Sequence, residues 1–180
     1  LSSTGILALE QLPQSLVILG GGAIGCEFAY VMSSFGVRVT LVEALDHLLP
    51  AEDEEVCEVL QESLQKQGIE VLTATRANSL SRGANAVSVS LATAQGEEVV
   101  REAELALVVF GRVPNTEELG LEELGVDLDQ RGYVITGDYN ASSVPGVFAI
   151  GDITQTPALA HVASREGELA VEHIAGHQPS

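Results

Sequence analysis

The residues best suited to ligand chemistry are three glycines, Gly20, Gly22 and Gly25, which form a G-x-G-x-x-G pattern. The first glycine of such a pattern permits a tight turn, the second lets a pyrophosphate approach the backbone, and the third lets a helix pack closely on a strand. The N–H groups and positive dipole end of that helix then face the phosphates. Glu43 follows 18 residues after Gly25, where its carboxylate can accept from ribose hydroxyls. These four residues together indicate a dinucleotide-binding site.

The elements around the glycines support this interpretation. Apolar residues 16–19 predict a buried strand, residues 26–35 predict a helix, and residues 37–42 predict a second strand that ends at Glu43. Strand, glycine turn, helix, strand and acid therefore come in the order that a dinucleotide site requires. The alternative is a glycine-rich turn without a ligand, because the chain contains 18 glycines.

The acid at the end of the second strand also predicts the kind of dinucleotide. The Glu43 carboxylate would repel a 2′-phosphate, and no Arg or Lys follows within the next several residues. The sequence therefore predicts NAD rather than NADP. The alternative for Glu43 is a solvated acid at the end of a strand.

Composition and charge limit the partners and the compartment. The chain of 180 residues is 46% hydrophobic and carries 26 acids against 8 bases, for a net charge of −18. Nucleic acids and anionic membranes would be repelled at long range, and no apolar run approaches the length of a membrane span. We therefore expect no nucleic-acid or membrane partner and a cytoplasmic location, or the mitochondrial matrix or a plastid in a eukaryote.

The two cysteines, Cys26 and Cys57, each fall inside a predicted helix and outside any C-x-x-C or metal-type cluster. Two buried thiols in a reducing compartment are favoured over a redox pair. We expect no metal site.

The remaining pattern predicts further strands and helices. Acidic residues 52–55 open a helix, and residues 69–73 predict a third strand. Alternating residues 87–91, and then residues 98–100, predict antiparallel ribbons. The later predicted elements are a core strand at 105–110, a short helix within 117–129, short strands at 133–136 and 147–150, and a helix at about 161–174.

Several segments together resemble the pyridine-nucleotide disulfide oxidoreductases, and most of all the dihydrolipoamide dehydrogenase branch of that family. The matching segments are GGGAIGCE at 20–27, VTLVE at 39–43, GRVPNT at 111–116, VFAIGD at 147–152 and LAHVASREG at 159–167. The resemblance covers nearly the whole chain, and the motifs are specific when taken jointly.

In that family an NAD-binding domain is inserted within an FAD-binding domain. The resemblance therefore implies a lead-in segment at 1–12, an NAD-binding domain at 13–112 and the C-terminal part of the FAD-binding domain at 113–180. The implied fold class is α/β. It comprises a Rossmann-like three-layer NAD-binding domain, with a parallel sheet and an antiparallel β-meander, followed by a partial FAD-binding segment.

The resemblance also implies two sets of cofactor-binding residues and no catalytic residue. The set for NAD is Gly20, Gly22, Ala23, Ile24, Gly25, Glu27, Glu43, Gly111 and Arg112, with Glu27 near the nicotinamide carboxamide. The set on the FAD side is Gly151, Asp152, Leu159, Ala160 and His161, with Asp152 on the ribityl chain. The alternatives are a dipole-stabilising acid for Glu27, a strand-end glycine for Gly111, a Gly-Asp turn for Asp152, and a cap or surface residue for His161.

The implied function is the NAD-binding portion of an enzyme that moves electrons from a dithiol through FAD to NAD. Because no first FAD fingerprint, close cysteine pair, His-Glu base pair or dimerisation domain is present, we expect a fragment that is inactive alone. The parent is expected to be a homodimer and a component of a 2-oxo acid dehydrogenase complex. We also expect Val134, Ile135 and Val147 to expose apolar surface. The alternatives are a related flavoprotein disulfide or mercuric reductase, and a non-catalytic NAD-binding module.

Overall fold

The computed structural model describes residues 1–178. The chain divides into two compact units, Leu1–Gly111 (unit 1) and Arg112–Ser180 (unit 2). Each unit has its own hydrophobic core. The predicted boundaries at 1–12, 13–112 and 113–180 refer to the domains of a larger fold and stay a prediction.

Unit 1 contains three helices and seven strands. In chain order they are α1 Ser3–Leu7, β1 Ser15–Leu19, α2 Ala23–Ser34, β2 Arg38–Val42, α3 Glu54–Lys66, β3 Glu70–Leu72, β4 Thr75–Arg82, β5 Val87–Thr93, β6 Glu98–Ala103 and β7 Leu105–Val108. Strands β3, β2, β1 and β7 form a parallel sheet in that order, and β4, β5 and β6 form an antiparallel sheet. A parallel sheet beside an antiparallel sheet is what the resemblance implies, and the α/β fold class is confirmed.

The central strand β1 shows why the sheet is covered on both faces. Leu16 and Ile18 pack with α2 and α3, whereas Val17 and Leu19 pack with residues of β5 and β6. Because side chains alternate across a strand, a continuous apolar run supplies both interfaces. The result is three layers: helices, parallel sheet and antiparallel sheet.

The antiparallel layer has one strand that the sequence pattern misses. Strands β5 and β6 agree with the predicted ribbons, but β4 does not alternate in polarity, and most of its residues are exposed. It pairs with β5 along most of its length, with an irregularity between Ala77 and Ser79. A polar edge strand of this kind has no period-2 pattern that could predict it.

Residues 112–178 of unit 2 contain two helices, α4 Leu121–Leu124 and α5 Ala160–Ile174, and two 3₁₀ turns, Asp138–Asn140 and Gly151–Ile153. The short strands predicted at 133–136 and 147–150 are wrong. In the described part of this unit, these segments form only isolated bridges, between Leu128 and Val134 and between Ala141 and Phe148. An isolated bridge does not extend into a continuous series of strand hydrogen bonds. The apolar residues of these two segments therefore pack without forming a sheet.

The predicted apolar exposure of this unit is correct only in part. Val134 is 2% exposed and belongs to the core of unit 2 with Val126 and Ala149. Ile135 is 51% exposed, and Val147 is half-buried. The expectation for Val134 is wrong because unit 2 buries it by itself. Within residues 1–178, no helix is both long and apolar enough to cross a membrane.

Candidate functional site

The glycine turn after β1 is packed too tightly for side chains at two of its positions. Gly20 has a φ of +117°, and a Cβ there would approach the Val109 carbonyl oxygen to 2.5 Å. A Cβ on Gly25 would collide with the Gly20 carbonyl oxygen. The turn can therefore pass between β7 and α2 only because both residues are glycine.

Gly22 has the opposite environment. It is the N-cap residue of α2, no side chain caps this helix end, and no atom beyond its chain neighbours lies within 4 Å of the position a Cβ would occupy. The first helical hydrogen bond runs from Cys26 N–H to the Gly22 carbonyl oxygen, which leaves the N–H groups of Ala23, Ile24 and Gly25 without an acceptor in the helix. An open surface that carries N–H donors and the positive end of a helix dipole suits an anionic group.

The acid at the end of β2 faces this turn. Glu43 is 9% exposed, and its Oε2 atom accepts a hydrogen bond from the Gly21 N–H at 2.6 Å. Its Oε1 atom accepts from the Leu45 N–H at 2.9 Å. An ionised carboxylate has about four lone-pair positions, and these two bonds use two of them. The carboxylate is thus held in a fixed orientation and can still accept hydrogen bonds.

Gly21 is a residue of the turn that the sequence pattern misses. A Cβ on Gly21 would lie 2.7 Å from Leu48 Cδ2 and 2.8 Å from Glu43 Cβ, so a side chain here would displace the acid. In the G-x-G-x-x-G pattern this position accepts any residue. The one feature of the sequence that could have indicated the need for glycine at position 21 is the run of three glycines at 20–22.

The loop after Glu43 is pinned to the same turn. The Leu49 N–H donates to the Gly21 carbonyl oxygen at 2.9 Å, and the Ala74 N–H donates to the Leu45 carbonyl oxygen at 2.7 Å. Leu48 is fully buried in the core of unit 1. The loop is therefore hydrogen-bonded to the glycine turn at one position and to residue 74 at another.

The first turn of α2 also borders a groove between α2 and α3. The groove has a volume of about 440 Å³ and is mainly apolar, with Tyr30, Val31, Leu49 and Leu60 in its lining. Glu27 is exposed and lies at this groove. It shares α2 with Ala23 and Ile24, so the glycine turn and this carboxylate are joined by one helix.

Both cysteines are buried thiols, as the sequence predicts. Cys26 lies below the glycine turn and donates to the Gly21 carbonyl oxygen at 3.4 Å, and Cys57 donates to the Leu49 carbonyl oxygen at 3.5 Å. Burial, helped by the charge of Glu43, raises the pKa of Cys26 to about 11. Burial also raises the pKa of Cys57. Both thiols are therefore protonated at neutral pH and poor nucleophiles.

Unit 2 brings together a second group of predicted residues. Arg112 forms an ion pair with Asp152, and both side chains are about half exposed. They line a cavity of about 220 Å³ to which Arg131, Tyr133 and Thr154 also contribute. The resemblance implies that Arg112 lies on the NAD side and Asp152 on the FAD side, and in the structure the two side chains form an ion pair.

The remaining predicted residues of unit 2 lie at the start of α5. Leu159 is its N-cap residue, without a side-chain cap, and the first helical bond runs from the Ala163 N–H to the Leu159 carbonyl oxygen. The N–H groups of Ala160 and His161 therefore have no acceptor within the helix. Gly151 and Asp152 belong to the 3₁₀ turn that packs on α5. Outside unit 2, the predicted residue Gly111 is exposed at the end of unit 1.

These observations separate the predicted residues into two groups. The glycine turn, the start of α2 and Glu43 lie together in unit 1, and Arg112 and Asp152 lie together in unit 2. No group of three or more His, Cys, Asp or Glu side chains within residues 1–178 is arranged to hold a metal ion.

A family model for pyridine nucleotide-disulphide oxidoreductases matches residues 1–167, which is most of the chain. The chain belongs to this family. The match covers both the glycine turn and the Asp152 turn, so both groups of residues lie within family sequence.

The family members most similar in sequence include several dihydrolipoyl dehydrogenases. That of Chlamydia pneumoniae is 42% identical over 177 residues, which cover 98% of this chain and 37% of the relative. That of Geobacillus stearothermophilus is 42% identical over 181 residues with the same coverage, and a mitochondrial one of Arabidopsis thaliana is 39% identical over 176 residues. The chain thus spans just over a third of the length of the relatives it matches.

Solved structures of family members have the same fold. The HOCl-induced flavoprotein disulfide reductase RclA of Escherichia coli gives a TM-score of 0.90 at 28% identity, over 100% of this chain and 40% of that one. LpdA of Mycobacterium tuberculosis gives a TM-score of 0.88 at 35% identity, over 100% of this chain and 38% of that one. The relatives are oxidoreductases, as the resemblance implies.

Proposed function

We propose that this chain is the NAD-binding portion of a flavin-dependent disulfide oxidoreductase of the dihydrolipoyl dehydrogenase type. The observation that carries the proposal is the open Gly22 surface at the uncapped start of α2, beside the buried carboxylate of Glu43. In such an enzyme, FAD receives electrons from a dithiol by way of a disulfide and passes a hydride to NAD.

The residues of unit 1 bind and orient the nucleotide in this proposal. The N–H groups of Ala23, Ile24 and Gly25 bind the pyrophosphate. The pyrophosphate can approach the backbone because Gly22 has no side chain. Glu43 accepts from the ribose hydroxyls with the lone pairs that Gly21 and Leu45 leave available. The same carboxylate repels a 2′-phosphate, so NAD is bound in preference to NADP.

Glu27 and Gly111 complete the nucleotide site. Glu27 lies one turn into α2, where it meets the carboxamide of the nicotinamide, and Gly111 gives room beside the dinucleotide because it has no side chain. An open position at Gly111, with no atom within 4 Å of where its Cβ would be, supports this assignment.

The residues of unit 2 form one side of a flavin site in this proposal. Asp152 accepts from the ribityl hydroxyls, and the start of α5, at Leu159, Ala160 and His161, directs its N–H groups towards the flavin ring. The chain spans 37% of the first relative. Segments outside this chain then supply the FAD phosphate turn, the dithiol pair and the dimer contacts.

The complete protein is proposed to be a homodimer that serves a 2-oxo acid dehydrogenase complex in the cytoplasm or, in a eukaryote, in the mitochondrial matrix or a plastid. A second candidate function is that of a flavoprotein reductase for another disulfide. The TM-score of 0.90 with the Escherichia coli disulfide reductase favours it. Assays of the complete protein with dihydrolipoamide and with other disulfides distinguish the two.

The experiment that tests the nucleotide site uses two matched variants, Gly22→Val and Gly137→Val. Both glycines have negative φ values and no atom within 4 Å of a Cβ. NAD binding is measured by calorimetry, and folding by circular dichroism. We expect both variants to fold and only Gly22→Val to lose NAD binding. Normal affinity in a folded Gly22→Val variant would mean that the dinucleotide does not lie on this turn.

A further inference from the structure

One buried carboxylate in unit 2 has no role in either cofactor assignment. Glu166, on α5, is 6% exposed, whereas Glu168 and Glu172 on the same helix are exposed to solvent. Its Oε2 atom accepts from the Gly151 N–H at 2.6 Å. Its Oε1 atom is buried and has no hydrogen-bond partner among residues 1–178. Burial of a carboxylate is unfavourable without hydrogen bonds, and the bond to Gly151 is the one that this side chain makes within residues 1–178.

Gly151, the residue that Glu166 contacts, is hydrogen-bonded through both its N–H and its carbonyl group. Gly151 has a φ of +71°, in the left-handed region. Its N–H donates to Glu166, and its carbonyl oxygen accepts from Thr154 twice, from the N–H at 2.9 Å and from Oγ1 at 2.8 Å. Both polar groups of Gly151 are therefore fixed by buried partners.

The face of α5 that carries Glu166 also contacts the Gly151–Ile153 turn directly. A Cβ on Gly151 would lie 3.2 Å from the Ala163 Cβ, so the backbone of the turn already touches α5. Ala163 and Glu166 are three residues apart and lie on one face of the helix. The small side chain gives the close approach, and the long one reaches the N–H group. The helix thus positions the turn by contact and by hydrogen bond together.

Asp152 is the next residue of this turn. The carbonyl oxygen of Ile153, which ends the turn, accepts from the Val134 N–H at 2.9 Å. The backbone on both sides of Asp152 is thus fixed, whereas its side chain is about half exposed and pairs with Arg112. A fixed backbone under an accessible carboxylate is the arrangement that a precise hydrogen-bond acceptor requires.

We propose that Glu166 is a positioning residue that holds the Gly151–Ile153 turn, so that the Asp152 carboxylate faces the hydroxyl groups of a bound flavin. The inference rests on the proposed function, which puts the flavin beside Asp152. Glu166 does not touch the flavin in this proposal. It acts through the Gly151 N–H.

The first test is amide hydrogen exchange, measured by NMR on the 180-residue chain. Glu166→Leu removes the acceptor and keeps a large buried side chain, whereas Glu166→Gln keeps a carbonyl oxygen that can accept from Gly151. We expect exchange at Gly151 to be at least about tenfold faster in Glu166→Leu, because one hydrogen bond is lost. We expect Glu166→Gln to restore slow exchange and the amides of α5 to stay protected in both variants.

The matched controls are Glu172→Leu and Glu172→Gln, which make the same changes at an exposed position of α5. Neither control should alter exchange at Gly151. Unchanged exchange at Gly151 in Glu166→Leu would overturn the inference. Acceleration that spreads equally over α5 would also overturn it, because Glu166 would then support the core of unit 2 as a whole.

The second test is FAD affinity, measured by flavin fluorescence in the complete protein with the same variants. We expect Glu166→Leu to bind FAD at least about tenfold more weakly and Glu166→Gln to bind it within about threefold of the unchanged protein. Equal FAD affinity in all variants would overturn the role towards flavin. An unchanged complete protein that takes up no FAD would contradict the proposed function, and the exchange result on Gly151 would still report whether Glu166 holds the turn.

Discussion

The Glu43 carboxylate holds the Gly21 N–H at 2.6 Å across the turn that joins β1 to α2. This bond connects the end of one strand to the glycine turn of its neighbour. Since the second oxygen of Glu43 holds Leu45, one side chain fixes both the phosphate-facing turn and the loop after β2. The proposed ribose contact is therefore coupled to the shape of the proposed pyrophosphate site.

Replacement of Glu43 by alanine is expected to reduce nucleotide selectivity and nucleotide affinity together. Glu43→Ala removes the ribose contacts, the repulsion of a 2′-phosphate and the bond to Gly21. Hydrogen bonds to charged groups contribute about 1.5–3 kcal/mol each, so NAD(H) affinity should fall at least tenfold. NADP(H) affinity should fall less, so the ratio between the affinities for NAD(H) and NADP(H) should decrease.

Calorimetric titrations with both nucleotides measure this effect, with Glu10→Ala as a control at an exposed acid of unit 1. Equal affinity for NAD(H) and NADP(H) in the unchanged protein would contradict the selectivity argument. A Glu43→Ala variant with undiminished NAD(H) affinity would contradict the ribose contact.

Two neighbouring glycines are expected to differ in their tolerance of alanine. Gly21→Ala places a methyl group less than 3 Å from atoms of Leu48 and Glu43, whereas Gly22→Ala places it in open space. Overpacking of this kind destabilises a protein by about 1–3 kcal/mol. Gly22→Ala should change the free energy of unfolding by no more than about 0.5 kcal/mol. Urea denaturation of the two variants tests the difference, and equal stabilities would show that the turn can relax.

The ion pair between Glu70 and Arg101 is expected to give a pH-dependent part of the stability. A hydrogen bond from the Arg101 guanidinium, aided by one from Thr40, lowers the pKa of Glu70 below its usual value of 4.5. A lowered pKa stabilises the folded state above the usual pKa, and this contribution is lost as the pH falls through the folded value. Both side chains are partly exposed, so the contribution is about 0.5–1 kcal/mol.

The measurement is urea denaturation of Glu70→Gln between neutral and acidic pH, with Glu98→Gln as the exposed control. Glu70→Gln should be less stable than the unchanged protein at neutral pH, and the difference should shrink below pH 4.5, the usual pKa of the carboxyl. A difference that persists unchanged in acid would show that packing, and not charge, is responsible.

The isolated chain is expected to be colourless and inactive. Asp152 and the start of α5 form only one side of the proposed flavin site, and a phosphate-binding turn for FAD would contribute much of the affinity. Purified protein should therefore bind NAD without FAD and show no lipoamide-dependent NAD reduction. An absorbance scan during size-exclusion chromatography and an activity assay test this. A yellow, active protein of 180 residues would contradict the proposal.

The sequence predicts the parts of this molecule that depend on short-range patterns. The β1 run, the glycine turn, α2, β2 and Glu43 lie within a few tens of residues, and each has a residue signature of its own. The start of α2 at Ala23 is three residues earlier than predicted, because the helix includes Gly25 at its close approach to Gly20. The sequence pattern predicts that Gly25 lies where the helix approaches the strand. A glycine is therefore tolerated inside the helix at this position.

Contacts between distant residues account for what the sequence does not predict. The bond from Gly21 to Glu43 and the bond from Gly151 to Glu166 span 22 and 15 residues, and neither acid differs in type from the many exposed acids. The pairing of Arg112 with Asp152 spans 40 residues. Such contacts depend on how elements pack, which periodicity does not report.

The polar strand β4 also limits how copies of this chain can associate. It forms one edge of the antiparallel sheet, where unpaired N–H and C=O groups could recruit a strand from another molecule. Its exposed Arg76 and Arg82 and the irregular pairing between Ala77 and Ser79 make that edge charged and uneven. The same lack of alternation that hides β4 from the sequence pattern is thus of the kind that disfavours edge-to-edge pairing between sheets.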